Sequence, residues 1–334
     1  MTTVMTSGDP RGTNLARHLP SVEDMTTAPR SRPLSAPVDA GPRTGPPGPR
    51  LPLWLRVLLP MLVFLPAAMT SALPGLIPGV AATSEREDWW GAGAYALVCV
   101  TPLLAYLLLA ALFVRGVDRR PLAALGLRLN LRAGAALVTG MALAIALLVI
   151  ASFIAEATGL VAPVPAAEIR RYVPTGAAIV PVLVLVLLRA FVLQGIGEEV
   201  LFRGYVMQTL SRRPRLAVLV TAAAFTLPHL ASVGGQEGIG QRLIYLAMPF
   251  GFAMSAGMLA IALRSVWAAI GVHGGFHVAT ALVPLIGFAA DGPAVWALLG
   301  AAHLLAALLM AAAIPQRRWD EVRASGPYTR PAAS

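Results

Sequence analysis

The chain has 334 residues, 57% of them hydrophobic and only 13% charged. A soluble domain carries about a quarter charged residues, and the apolar residues here gather into long Leu-, Ala- and Val-rich runs, so a purely soluble fold is excluded. The formal charge of +10 comes from arginine without any lysine. Those arginines sit between apolar runs rather than on one soluble face, which argues against a nucleic-acid partner and for a role in setting membrane orientation.

Residues 1–50 are rich in Pro, Thr, Ser, Gly and Arg and poor in large apolar side chains. They are expected to form a disordered polar N-terminal tail. They hold no early apolar stretch, so a cleaved secretory signal is not expected. From residue 51 to 315 the chain reads as an all-α, polytopic transmembrane helix bundle with about eight membrane-spanning helices. The spans run roughly over 54–80, 89–114, 133–155, 176–198 with an extension to about 210, 215–231, 243–263, 266–287 and 294–314. The first carries prolines 60, 66, 74 and 78 and is the least regular. Cys99 lies within the second span and is expected to pack there, as free cysteines readily do. Residues 316–334 read as a C-terminal tail.

An even number of spans puts both termini on one side. With the N-terminal tail in the cytoplasm, the outside loops hold only Arg86, Arg170, Arg171 and Arg242. The remaining loop and tail arginines fall inside. Both termini are therefore expected to be cytoplasmic, with membrane lipids as the surroundings and, given the composition, a bacterial plasma membrane as the location.

Ionisable groups within spans are costly and usually functional. Here they are Arg189, Glu198, Glu199, Arg203, His229, His273, His277 and His303. Residues four apart share a helix face, so Glu199 and Arg203 are expected to pair, leaving Glu198 without that cation. A buried carboxylate lacking a cation can act as a base. The turn 211–215 joins the fourth and fifth spans. Glu198 lies 13 residues before it and His229 14 residues after it, so both sit roughly 20 Å from the turn and are expected to meet.

His273 and His277 share one face of the seventh span, roughly 12 and 18 Å from the turn at Arg264-Ser265. The intervening Gly274 and Gly275 allow close approach by another helix or a peptide. A pair of packing histidines is the alternative. His303, alone in the eighth span, reads as structural. Arg189 lies nine residues before Glu198, on the opposite face, and is expected to pair elsewhere or snorkel.

Three boxes, Glu198-Glu199…Arg203, Phe225…His229 and His273…His277, occur in order. In this the sequence resembles the CPBP intramembrane proteases, which include the type II CAAX prenyl endopeptidases and bacteriocin-processing or self-immunity proteins. The resemblance covers roughly residues 176–290, the expected protease core, with Leu125-Gly126-Leu127-Arg128 also in keeping. It implies that Glu198 is the general base that activates water, with His229 helping. Glu199 and Arg203 would support the site, and His273 would hydrogen-bond the oxyanion. The departure is His277, where the prenyl endopeptidases usually have Asn. Imidazole still offers a hydrogen-bond donor.

The implied activity is an intramembrane endopeptidase acting on a membrane-associated or lipidated peptide or protein. No cofactor is expected. The alternative within the same residues is a zinc mechanism using His229, His273, His277 and Glu198. A non-catalytic immunity or binding protein of the same fold is the other alternative. A transporter is disfavoured, because no pair of broken-helix repeats is evident.

Overall fold

The computed structural model describes residues 48–173, 176–232 and 235–329. The expected N-terminal tail lies almost wholly outside the described residues. Eight helices are long and apolar enough to cross a membrane. They are α1 (Leu53–Leu76), α2 (Trp89–Val117), α3 (Leu131–Ala157), α4 (Ile179–Thr209), α5 (Pro214–Ala231), α6 (Gly238–Leu263), α7 (Val266–Ile286) and α8 (Pro293–Ala313). Besides short helices at Val80–Ser84 and Ala166–Tyr172, a polar helix, labelled α9 (Gln316–Ser325), follows α8. Among the described residues there is no β-strand. The protein is thus an all-helical polytopic membrane bundle.

The sequence explains the helix ends. Asp88 accepts from the Gly91 amide (2.9 Å), Asn130 from Ala133 (3.0 Å) and Ser265 from Trp267 (3.3 Å), so α2, α3 and α7 each start on a capping side chain. Pro214 opens α5 at its first turn, where its missing N–H costs nothing. Leu62, Met69, Leu108, Val138, Leu305 and Leu309 remain exposed on the bundle exterior, as lipid-facing side chains do. Trp54 starts α1 and Trp89 and Trp90 start α2, all three exposed, where interfacial aromatics are favoured.

The helices α6 and α7 are the innermost. α7 lies along α3, and α6 lies between α5 and α8. Small residues permit this. A methyl at Gly275 would stand 2.6 Å from the Met141 Cα, and methyls at Gly140 or Gly271 would meet the backbone of the facing helix. Cys99 is fully buried in α2 with no disulfide, in keeping with a packing role.

Two features escape the hydrophobic pattern. Asp118, just after α2, has a buried carboxylate gripped by Arg56 of α1 through two hydrogen bonds (2.6 and 2.8 Å). It also pairs with Arg120 and accepts from the Tyr205 hydroxyl of α4 (3.2 Å). This polar knot joins α1, α2 and α4 at one end. Burial works against the charge on Asp118, but the two arginines outweigh it and hold the carboxyl below its ordinary range.

The second feature is the stretch after α8. Instead of a loose tail, α9 buries Arg318, Trp319 and Val322 against the bundle.

Candidate active site

The helix α4 does not keep one winding. It is α-helical over 179–187, π-helical over 188–195, α-helical over 196–199 and π-helical over 200–206. The two glutamates thus sit on a single α-turn between two wide turns, a feature common at functional sites. At the second wide turn the Met207 amide donates to the Phe202 carbonyl, five residues back.

The expected pair forms: Arg203 donates from Nη1 to Glu199 Oε1 at 2.9 Å, with both side chains fully buried. Arg203 Nη2 donates to the Ala253 carbonyl of α6 (3.0 Å), and its guanidinium lies 4.9 Å from the centre of the Phe225 ring. Desolvating such a pair is costly unless further partners satisfy it; these contacts supply part of that, while among the described residues Arg203 Nε and Glu199 Oε2 have no hydrogen-bond partner. His273 Nδ1 reaches the same Oε1 atom at 3.1 Å. Glu199 is therefore a hub between α4 and α7, held by a cation on one side and an imidazole on the other.

Glu198 points elsewhere, as its position on the helix requires. It is 8% exposed, and among the described residues its carboxylate makes no hydrogen bond or ion pair. It is a near-buried acid with its lone pairs open.

His229 sits on α5 beyond Phe225. Among the described residues it makes no direct hydrogen bond with Glu198. Pro228 ends the α-winding, and residues 227–231 continue as a 3-10 turn. That turn aims Nδ1 back at the Phe225 carbonyl, 2.9 Å away. A carbonyl can only accept, so Nδ1 carries the proton and Nε2 is the free acceptor of the neutral ring.

His273 and His277 do share a face, with ring centres 5.3 Å apart and planes 28° apart. The His277 ring is half-buried, and within the described residues its nitrogens have no hydrogen-bond partner. His303 is buried in α8 and bonded through Nδ1 to Ser255 Oγ (2.7 Å), with Phe252 between it and His273. Arg189 is exposed on the outside of α4, apart from the glutamates.

Phe225 emerges as the packing centre. Its ring contacts those of His229 (4.9 Å), His273 (5.8 Å) and Phe252 (5.9 Å) and carries the Arg203 guanidinium on its face. The sequence marked Phe225 only through its box. Nothing in periodicity distinguishes a phenylalanine that orients three polar side chains from one that fills space.

His229 and His273 each commit Nδ1 to another partner, which leaves Nε2 as the open nitrogen, and among the described residues no group of three or more His, Cys, Asp or Glu converges closely enough to hold a metal ion.

A buried acid, a supporting ion pair and histidines from two membrane helices are the components of a membrane-embedded hydrolytic site. Residues 180–279, which span α4 to α7 and contain all three boxes, match the family model described as type II CAAX prenyl endopeptidase Rce1-like. Over these residues the chain is similar to this CPBP, or CAAX-type, family, whose members are peptidases. No curated protein and no solved structure matches the chain.

Proposed function

We propose that the protein is an intramembrane endopeptidase that cleaves a membrane-associated or lipidated peptide or protein with water activated by Glu198. The observation that carries this reading is the contrast between two adjacent acids. Glu199 is spent on Arg203 and His273, whereas Glu198 is nearly buried with its oxygens free.

In the reaction, Glu198 takes a proton from a water molecule as its oxygen attacks the scissile carbonyl carbon. His229 offers its Nε2 lone pair to the water's second proton and so orients it. The carbonyl oxygen becomes an oxyanion. His277, whose neutral ring has one N–H, donates to it. His273 donates from Nε2 when its ring carries both protons, or when Glu199 holds the proton on their shared hydrogen bond. The carboxylic acid formed on Glu198 then passes its proton to the leaving amine as the C–N bond breaks. Water ends on the new carboxyl group and the new amino group.

The arginine distribution supports a cytoplasmic location for both termini. The low-polarity surroundings favour a substrate that reaches the site from the membrane or its surface. The test is to sequence new peptide N-termini in membranes of cells making the wild-type chain or Glu198→Gln at equal abundance. Fragments present only with the wild type support the reading. Identical peptide sets reject it in favour of a binding protein of the same fold.

A further inference from the structure

The segment 316–329 has a polar sequence, yet it is fastened to the bundle along its length. Arg318 Nε donates to the Ile261 carbonyl at the end of α6 (2.9 Å). Trp319 is buried beneath Arg215 of α5, with the guanidinium 5.1 Å from its ring centre. Glu321 pairs with Arg264 in the turn between α6 and α7, and Arg264 also donates to the Thr329 carbonyl (3.4 Å). Gly326, at φ +90°, reverses the chain so that Tyr328 returns to the bundle. Its ring lies against Gly126, where a Cβ would stand 2.6 Å from it.

The Tyr328 hydroxyl donates to the backbone carbonyl of Arg203 at 2.8 Å. In an α-helix that carbonyl would accept from Met207, four residues on. The wide turn gives the Met207 amide to Phe202 instead. Tyr328 thus donates to a carbonyl that the wide turn has parted from its α-helical donor. Burial pushes the phenol pKa up, so the hydroxyl keeps its proton.

We propose that Tyr328 is a positioning residue for hydrolysis: its hydroxyl fixes the backbone at Arg203, and Arg203 in turn fixes Glu199 and, through it, His273. This rests on the peptidase reading above. The connection runs through three hydrogen bonds, from hydroxyl to Arg203 carbonyl, from Arg203 guanidinium to Glu199, and from Glu199 to His273. Packing alone would need only the ring, so the hydroxyl separates the two roles.

The experiment uses full-length Tyr328→Phe, with Thr329→Ala as a control in the same segment, because among the described residues the Thr329 hydroxyl bonds to Ser325 alone. In liposomes, Tyr328→Phe is expected to lower kcat about five- to twentyfold, the scale of one hydrogen bond, with KM within about twofold. Amide exchange followed by mass spectrometry is expected to quicken over residues 200–209 and to stay unchanged over α8. Thr329→Ala should match the wild type in both. Unchanged kcat, or unchanged exchange over 200–209, overturns the proposal, as does an equal effect in Thr329→Ala. Should the wild-type chain hydrolyse no peptide, the peptidase reading fails by itself. Exchange then decides the Tyr328–Arg203 link, and unchanged exchange overturns that too.

Discussion

Replacing Glu199 by Gln keeps the shape of the side chain and removes its charge. Arg203, fully buried, would then keep only neutral partners, namely the new amide oxygen, the Ala253 carbonyl and the Phe225 face. Breaking a buried pair by removing one member costs roughly 3–5 kcal/mol, because the remaining charge is left uncompensated. We expect Glu199→Gln to melt well below the wild type in detergent and to lose turnover as His273 loses its anionic partner. The double variant Glu199→Gln, Arg203→Met should recover much of the melting loss, since an apolar replacement of a buried pair is often close to neutral. It should not recover turnover. Glu198→Gln should behave in the opposite way, with wild-type melting and turnover reduced by about 10²–10⁴, the usual contribution of a general base. Thermal melting and peptide hydrolysis on the four proteins test this. Equal melting of Glu199→Gln and the wild type, or equal turnover of Glu198→Gln and the wild type, would refute the division of labour.

Three more outcomes are expected. His277→Ala should reduce kcat by about 10²–10³ as an oxyanion donor is removed, while His277→Asn, which keeps an N–H, should stay within about tenfold of the wild type. If Ala and Asn are equivalent, His277 is a packing residue. Asp118, held below its ordinary pKa in the folded state, contributes stability that is present above its unfolded value near 3.9 and is lost as pH falls through the folded value. Asp118→Asn should therefore flatten the acid limb of the melting profile below about pH 4, and an unaltered limb would show that the Arg56 knot does not carry it. A reporter fused after Ser334 should register as cytoplasmic, and an exported reporter would reverse the assigned orientation.

The eight membrane spans were legible because one physical demand, covering about 30 Å of hydrocarbon, writes a long uniform signal. Their bounds agree with the helices to within a few residues for most spans. The Glu199–Arg203 pair was legible because four-residue spacing survives even beside a wide turn. The wide turns themselves were not, since they leave no compositional mark at 188–195 or 200–206. The aim of His229 was not legible, because it depends on the 3-10 turn over residues 227–231. The helix α9 was missed because it packs through Arg318, which donates to the Ile261 carbonyl, and a hydrophobic pattern cannot anticipate a buried arginine. Asp118 was passed over for the same reason: its burial is made possible by arginines 62 residues away and two residues away in the chain.

The close packing of α7 on α3 has a consequence for how such a site diversifies. Gly271 and Gly275 leave no room for even one methyl on that side, so the wall that carries His273 and His277 is closed to gradual change. On the other side, His229 rides on a short 3-10 turn and is bordered by Tyr245, whose ring centre is 6.4 Å away. New substrate preferences within this architecture should therefore accumulate on α5 and the first half of α6, where side chains can be exchanged one at a time. The α3–α7 face should drift only through paired replacements that enlarge one helix as they shrink the other.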